Sequence, residues 1–63
     1  MTYSDKVMWI INIENVATTV AAEYGHEVIR SVFQRYGAHG IHDLNPCYFS
    51  EVFSELELIA KDN

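Results

Sequence analysis

The sequence contains a single cysteine, Cys47, so no disulfide bond can form within the chain. A domain of 63 residues buries only about 60% of the surface that its unfolded chain exposes, and many domains of this size depend on disulfides, a metal or a partner. Association with another chain is therefore one available source of stability. A lone cysteine is also typical of a reducing compartment, and we expect a cytoplasmic protein.

Basic residues are also scarce. Four Lys and Arg stand against nine Asp and Glu, which gives a formal net charge of −5. Nucleic acids and anionic membrane surfaces are bound largely through Lys and Arg. The basic residues are scattered along the chain, at Lys6, Arg30, Arg35 and Lys61. We therefore expect no direct binding to nucleic acid or to a membrane.

Long apolar runs are missing as well. The most apolar segment, residues 7–13, is interrupted by Asn12 and is far shorter than the roughly 20 residues needed to span a bilayer. It has no basic region before it and no small-residue cleavage site after it, so we do not expect a signal peptide. These features predict a soluble protein.

The residues that are present favour helices. Apolar side chains make up 49% of the chain, and they recur at intervals of three or four positions. A strand at residues 7–13 is the alternative for that β-branched run, but the apolar period continues without a turn residue to Tyr24. The period predicts three helices, at about residues 5–24, 26–36 and 46–60, with a one-turn connector near 41–44. We therefore predict an all-α fold, a small three-helix bundle in which residues 1–63 form one domain.

Local signals place the helix ends. Ser4 is the expected N-cap of the first helix, and Gly25 and Gly37 are expected to end the first and second helices. Asn45 and Pro46 fit the N-cap and first position of the third helix. Residues 37–40 should form a flexible connector, and residues 61–63 should fray. The predicted core is Trp9, Ile13, Val16, Val20, Tyr24, Ile29, Val32, Phe33, Tyr36, Leu44, Phe49, Val52, Phe53, Leu56 and Ile59.

The outer face of the third helix is the first candidate interaction surface. Glu51, Glu55 and Glu57 fall outside its apolar stripe, with Leu58 beside them. Glu51 and Glu55 are expected to face solvent. Such a surface can attract a protein with a basic surface, and it can also be a charged face that only keeps the protein soluble.

A second candidate surface lies near the start of the first helix. Val7, Met8 and Ile11 fall off the main apolar stripe. Isolated surface apolar residues are common, but a group of them can also meet another chain. Because the domain is small, we predict self-association through these residues and a homo-oligomer.

The third candidate is a metal or thiol site formed by His39, His42 and Cys47, with Asp43 or His26 as a further ligand. Structural zinc sites normally have two tight pairs of Cys or His, and this sequence lacks the second pair. We therefore expect neither a metal nor another cofactor. Cys47 and His42 could also act as nucleophile and base, but a helical domain this small suggests no cleft or oxyanion donor, and an enzyme is not expected.

The segment from Tyr36 to Ala60 resembles short proteins, without an assigned activity, that are encoded on conjugative and other mobile elements of Gram-positive gut bacteria. The resemblance is centred on Asp43-Leu-Asn-Pro46 and Glu51-Val-Phe53. It implies an accessory role in transfer, maintenance or evasion of defence. It assigns no role to individual residues.

These observations lead to a non-catalytic protein-interaction module of a mobile element as the main hypothesis. One version is an acidic inhibitor or DNA mimic that occupies the nucleic-acid-binding surface of a host defence or nucleic-acid-handling protein. The alternatives are a small metal- or thiol-dependent regulator using His39, His42 and Cys47, and a structural subunit of a larger assembly.

Overall fold

The computed structural model describes residues 1–61, which fold into three α-helices and two short 3-10 turns. The helices are α1 (Tyr3–Tyr24), α2 (His26–Arg35) and α3 (Phe49–Lys61), and the 3-10 turns are Ile41–Asp43 and Pro46–Tyr48. No β-strand occurs within residues 1–61. The all-α prediction is confirmed, and the strand alternative for residues 7–13 is wrong. The predicted fraying of Asp62 and Asn63 lies outside the described residues.

Helix α1 begins earlier than predicted, and its N-cap is Thr2 rather than Ser4. The Thr2 hydroxyl accepts a hydrogen bond from the Asp5 backbone N–H at 3.1 Å, and the Thr2 backbone N–H donates to the Asp5 carboxylate at 3.4 Å. This reciprocal pair is a capping box. Ser4 cannot form one, because the residue three positions after it is Val7. Thr2 is therefore the better cap.

Two glycines with positive φ form the ends of α1 and α2. Gly25 (φ 93°) alone separates the two helices, and its N–H donates to the Ala21 carbonyl. Gly37 (φ 74°) follows α2, where the N–H groups of Gly37 and Ala38 donate to Gln34 and Phe33. This hydrogen-bond pattern is a Schellman motif, which places Ala38 against the helix it has just left. Ala38 is consequently buried, and the connector at residues 37–40 is more ordered than its composition suggests.

The third helix starts as predicted. Asn45 is the N-cap, and its side chain accepts from the Cys47 N–H at 3.1 Å, with Pro46 in the first position. The first three residues form a 3-10 turn that continues directly into α3 at Phe49. Lys61 still belongs to α3, so the helix extends one residue beyond the prediction.

The core lies between α1 and the pair formed by α2 and α3, and α1 packs most extensively against α3. Trp9 of α1 meets Phe53 of α3 edge to face, with ring centroids 5.9 Å apart. Most of the predicted core residues are buried or half-buried against this cluster. The buried apolar residues are Ile13, Val16, Val20, Val32, Phe33, Ala38, Leu44, Phe49, Val52 and Leu56.

Two residues depart from the predicted core. Tyr24 is 44% exposed, because it occupies the final position of α1, where the helical period continues but neighbouring helices do not cover it. Ala38 is buried although no periodic pattern includes it, since the Schellman motif after α2 turns it inward. Both differences arise at helix ends, where the apolar period of the sequence does not show which residues will be neighbours in the fold.

Leu56 and Leu58 allow a matched test of the core. Leu56 is fully buried and Leu58 is 70% exposed on the same helix. Leu56→Ala should lower the free energy of unfolding by about 2–5 kcal/mol, because it removes packed atoms and leaves a cavity. That is a large share of the roughly 3–9 kcal/mol expected for a domain of this length. Urea unfolding followed by circular dichroism measures the change.

Leu58→Ala is the control for this experiment. It makes the same substitution at an exposed position and should change the free energy of unfolding by no more than about 0.5 kcal/mol. Equal losses from the two substitutions would contradict the packing described here.

Candidate interaction surfaces

The outer face of α3 carries a ridge of three residues. Glu51, Ser54 and Leu58 are separated by three and four positions, so they follow one another along the same side of the helix. All three are exposed, and Leu58 is among the most exposed apolar side chains of the chain. Glu51 makes no ion pair within residues 1–61. We refer to these three residues as the α3 ridge.

Glu55 does not face solvent as predicted. Its side chain is 30% exposed and pairs with Arg35 of α2 at 3.2 Å. Its second carboxylate oxygen, Oε2, is buried and has no hydrogen-bond partner within residues 1–61. Glu55 lies one helical turn after Glu51, on the side of α3 that meets α2. Its carboxylate therefore lies at the junction of the two helices.

Tyr36 adds an aromatic group to this junction. Partial burial and then the negative charges of Glu55 and Glu51 raise the pKa of Tyr36 above its usual 10.0. The ring of Tyr48 lies beside it, with centroids 5.2 Å apart. Two aromatic rings and two carboxylates are therefore neighbours where α2 meets α3.

Glu57 lies on the opposite edge of α3. It lines a shallow groove with Asn12, Asn15 and Thr19 of α1, and its carboxylate is 3.8 Å from the Lys61 ammonium. The three glutamates predicted as one acidic row are thus divided between the two edges of the helix. Glu51 and Leu58 lie on the same side of α3, two turns apart, and Glu57 points to another side of the helix.

Most of the cationic side chains are already paired. Arg30 lies 3.1 Å from Glu27, Arg35 pairs with Glu55, and Lys61 is close to Glu57. Exposed pairs of this kind contribute little to stability. They do reduce the positive charge that residues 1–61 can offer to a partner, which leaves the surface predominantly acidic.

The second candidate surface is on α1. Met8 is 61% exposed and Ile11 is 48% exposed, whereas Val7 is half-buried. At 100° per residue, Met8 and Ile11 lie on the side of α1 opposite its buried residues, Ile13, Val16 and Val20. The structure therefore places two of the three predicted self-association residues on an uncovered helix face.

A groove between α1 and α2 was not predicted from the sequence. It encloses about 220 Å³. Its apolar residues are Ile13, Ala17, Ala21, Ile29, Phe33 and Ile41, and its polar residues are Glu14, Thr18 and His26. Small side chains in α1 produce it, because Ala17 and Ala21 leave space that longer residues would fill.

The residues proposed as metal ligands are not brought together. His39 is 95% exposed, and its Nδ1 lies 3.1 Å from the Asp43 carboxylate. His42 and Cys47 are exposed, and His26 lines the groove between α1 and α2. Within residues 1–61, no three His, Cys, Asp or Glu side chains form a group that could hold a metal ion.

Asp43 instead organises the connector. Its carboxylate accepts hydrogen bonds from the backbone N–H groups of His39 at 3.0 Å and Gly40 at 2.9 Å. These bonds favour the ionised form and lower the pKa of Asp43 from 3.8 to about 2. From the sequence, Asp43 is predicted only as a possible further metal ligand. The available signal was its position three and four residues after N–H groups of a glycine-containing loop, where Asp commonly binds the local backbone.

Comparison with known proteins identifies no relative. No family model, no curated protein and no solved structure matches the chain. None of the helices within residues 1–61 combines the length and the apolar character that crossing a membrane requires. The surfaces of the protein are therefore the features that can indicate its function.

The Asp43 hydrogen bonds predict a specific pH dependence. Because the folded pKa is about 2 and the reference value is 3.8, the unfolded chain takes up a proton at a higher pH than the folded chain. The contribution of the carboxylate is thus complete above about pH 4 and is lost as the pH falls through about 2. Asp43→Asn should lower the melting temperature at neutral pH, and its difference from wild type should shrink between these two pH values. Thermal unfolding by circular dichroism measures this.

Glu23→Gln is the control for Asp43→Asn. Glu23 is exposed and makes no ion pair within residues 1–61, and the substitution removes the same charge. It should have little effect on melting at neutral pH. An Asp43→Asn difference that remains constant at every pH would rule out the assigned role of the carboxylate.

Proposed function

We propose that the chain is a non-catalytic protein-interaction module whose α3 ridge binds a protein with a basic surface. The observation that carries this proposal is the position of Leu58. It is 70% exposed on the same side of α3 as Glu51, a carboxylate without an ion pair in residues 1–61. An exposed apolar side chain on the same side of a helix as an uncompensated charge provides an anchor and an electrostatic guide.

Charge supports a basic protein as the partner. The chain has a net charge of −5, and the cations of α2 and α3 already pair with its own carboxylates. Complementary positive charge on a partner accelerates diffusional encounter, and this effect weakens as salt is added. Nucleic acid offers the wrong sign of charge.

The junction between α2 and α3 supports a contact with an Arg or Lys side chain of that partner. Arg35 already pairs with the Glu55 carboxylate there, whereas the exposed Glu51 carboxylate makes no ion pair within residues 1–61. Glu51 is close enough for its charge to raise the pKa of Tyr36. A guanidinium group can bind the exposed Glu51 carboxylate while it lies against the Tyr36 ring, since cations are attracted to aromatic faces.

The biological setting in this proposal is an accessory role on a mobile element, acting in the cytoplasm. The resemblance of residues 36–60 supports it, and this segment includes the whole α3 ridge. Host proteins that handle nucleic acid carry Lys- and Arg-rich surfaces, which fit an acidic inhibitor. The distribution of carboxylates favours a local contact over broad DNA mimicry, because Glu55 and Glu57 lie on opposite edges of α3 and are each paired.

Charge reversal on the α3 ridge tests the proposal. Glu51→Lys should reduce the recovery of partner proteins from a host lysate, because it places a cation where the partner's basic surface would approach. The chain is immobilised at equal density in each case, and the recovered proteins are quantified by mass spectrometry. For a partner identified in this way, association should slow with the substitution and with added salt, whereas Leu58→Ala should mainly speed dissociation.

Glu14→Lys is the matched control for Glu51→Lys. It changes the net charge by the same amount at an exposed position beside the groove between α1 and α2, away from the α3 ridge. Partner recovery should stay at the wild-type level. If wild type, Glu51→Lys and Glu14→Lys recover the same proteins in the same amounts, the ridge serves only solubility.

A further inference from the structure

We infer that the groove between α1 and α2 binds a small organic amine, with the apolar body of the ligand inside the groove and its ammonium group beside Glu14. The inference goes beyond the proposed function and does not depend on it, because no residue of the α3 ridge lines the groove. Three properties of the groove support it: an apolar lining, a small volume and the sign of the charge at the rim.

The floor and walls of the groove are apolar. Ile13 and Phe33 are buried in the core of the fold and form the floor. The walls are half-buried apolar residues, namely Ala17, Ala21, Ile29 and Ile41. Contact between such a surface and water is unfavourable, so a ligand that displaces this water is stabilised by apolar burial.

The volume of the groove selects a small ligand. It encloses about 220 Å³. An engineered apolar cavity of about 150 Å³ holds one benzene molecule, whereas sites for drug-sized ligands measure about 300–1,000 Å³. The groove therefore accommodates one aromatic ring or branched alkyl group with a short chain, and it is too small for a helix of another protein.

The charge at the rim favours a cation. The polar lining residues Glu14, Thr18 and His26 are all exposed and form this rim. The Glu14 carboxylate makes no ion pair within residues 1–61, and none of the described lining residues is Lys or Arg. An ammonium group is therefore attracted to the rim, whereas an anionic ligand is repelled by Glu14 and by the net charge of −5.

The hydrogen-bonding groups of the rim also match an ammonium group. The Thr18 hydroxyl already donates to the Glu14 backbone carbonyl at 2.9 Å, so its hydrogen is used within α1. The Glu14 carboxylate and a neutral His26 imidazole are acceptors on opposite walls, one from α1 and one from α2. An ammonium group carries three donors and no acceptor, which complements a rim of this composition.

Titration of the isotope-labelled full chain with phenethylamine, followed by NMR, tests the inference. At about pH 8 an ordinary imidazole is neutral and a primary amine is protonated. The amide shifts of Ala17, Ile29 and Ile41 should saturate with a millimolar dissociation constant, because so small a ligand covers little area. Phenethyl alcohol, the neutral comparison, should bind about threefold more weakly, as expected for loss of an exposed ion pair, and the anion hydrocinnamate should bind most weakly.

Two variants separate the charge of the rim from the space in the groove. Glu14→Gln should abolish the preference for phenethylamine over phenethyl alcohol, whereas Glu23→Gln, which removes the same charge outside the groove, should preserve it. Ala21→Leu should fill the groove and weaken phenethylamine binding by at least about tenfold. Ala60→Leu makes the same substitution at a half-buried position beside Glu57, and its dissociation constant should stay within about twofold of wild type.

Circular dichroism verifies that each variant keeps the wild-type helical spectrum. If Ala21→Leu does not fold, Glu14→Gln at its exposed position decides the outcome. The absence of saturable shifts in wild type overturns the inference, and so does equal affinity for phenethylamine and either comparison compound. A preference that survives Glu14→Gln, or a folded Ala21→Leu variant that binds like wild type, also overturns it.

Discussion

The fold depends on one constraint: α1 must bury a single stripe of side chains against two shorter helices. Only Ile13, Val16 and Val20 of its 22 residues are buried. The other elements serve this contact, since Phe49, Val52 and Leu56 of α3 supply much of the opposing surface. A helix used on one side only leaves its other side to solvent. The small core and the uncovered side of α1 are therefore two consequences of the same arrangement.

The charged side chains divide into those that pair within the chain and those that do not. Arg30, Arg35 and Lys61 pair with carboxylates of the chain itself, and these pairs lie on α2 and α3 or connect them. The excess negative charge remains on carboxylates that have no such partner within residues 1–61, among them Glu51. In contrast, the uncovered side of α1 carries two exposed apolar side chains, Met8 and Ile11, with the Glu14 carboxylate one turn further along the helix. One small domain thus offers two chemically different faces.

Much of the fold could be predicted because helical periodicity and local end signals agree. The period located all three helices, and Gly25, Gly37 and the Asn45–Pro46 pair marked the right boundaries. Features that depend on three-dimensional neighbours were missed. Ala38 is buried by a turn that periodicity does not describe, and Glu55 was expected in solvent although Arg35 of another helix holds it. Leu58 could be assigned to the surface because its position on α3 is opposite the apolar stripe.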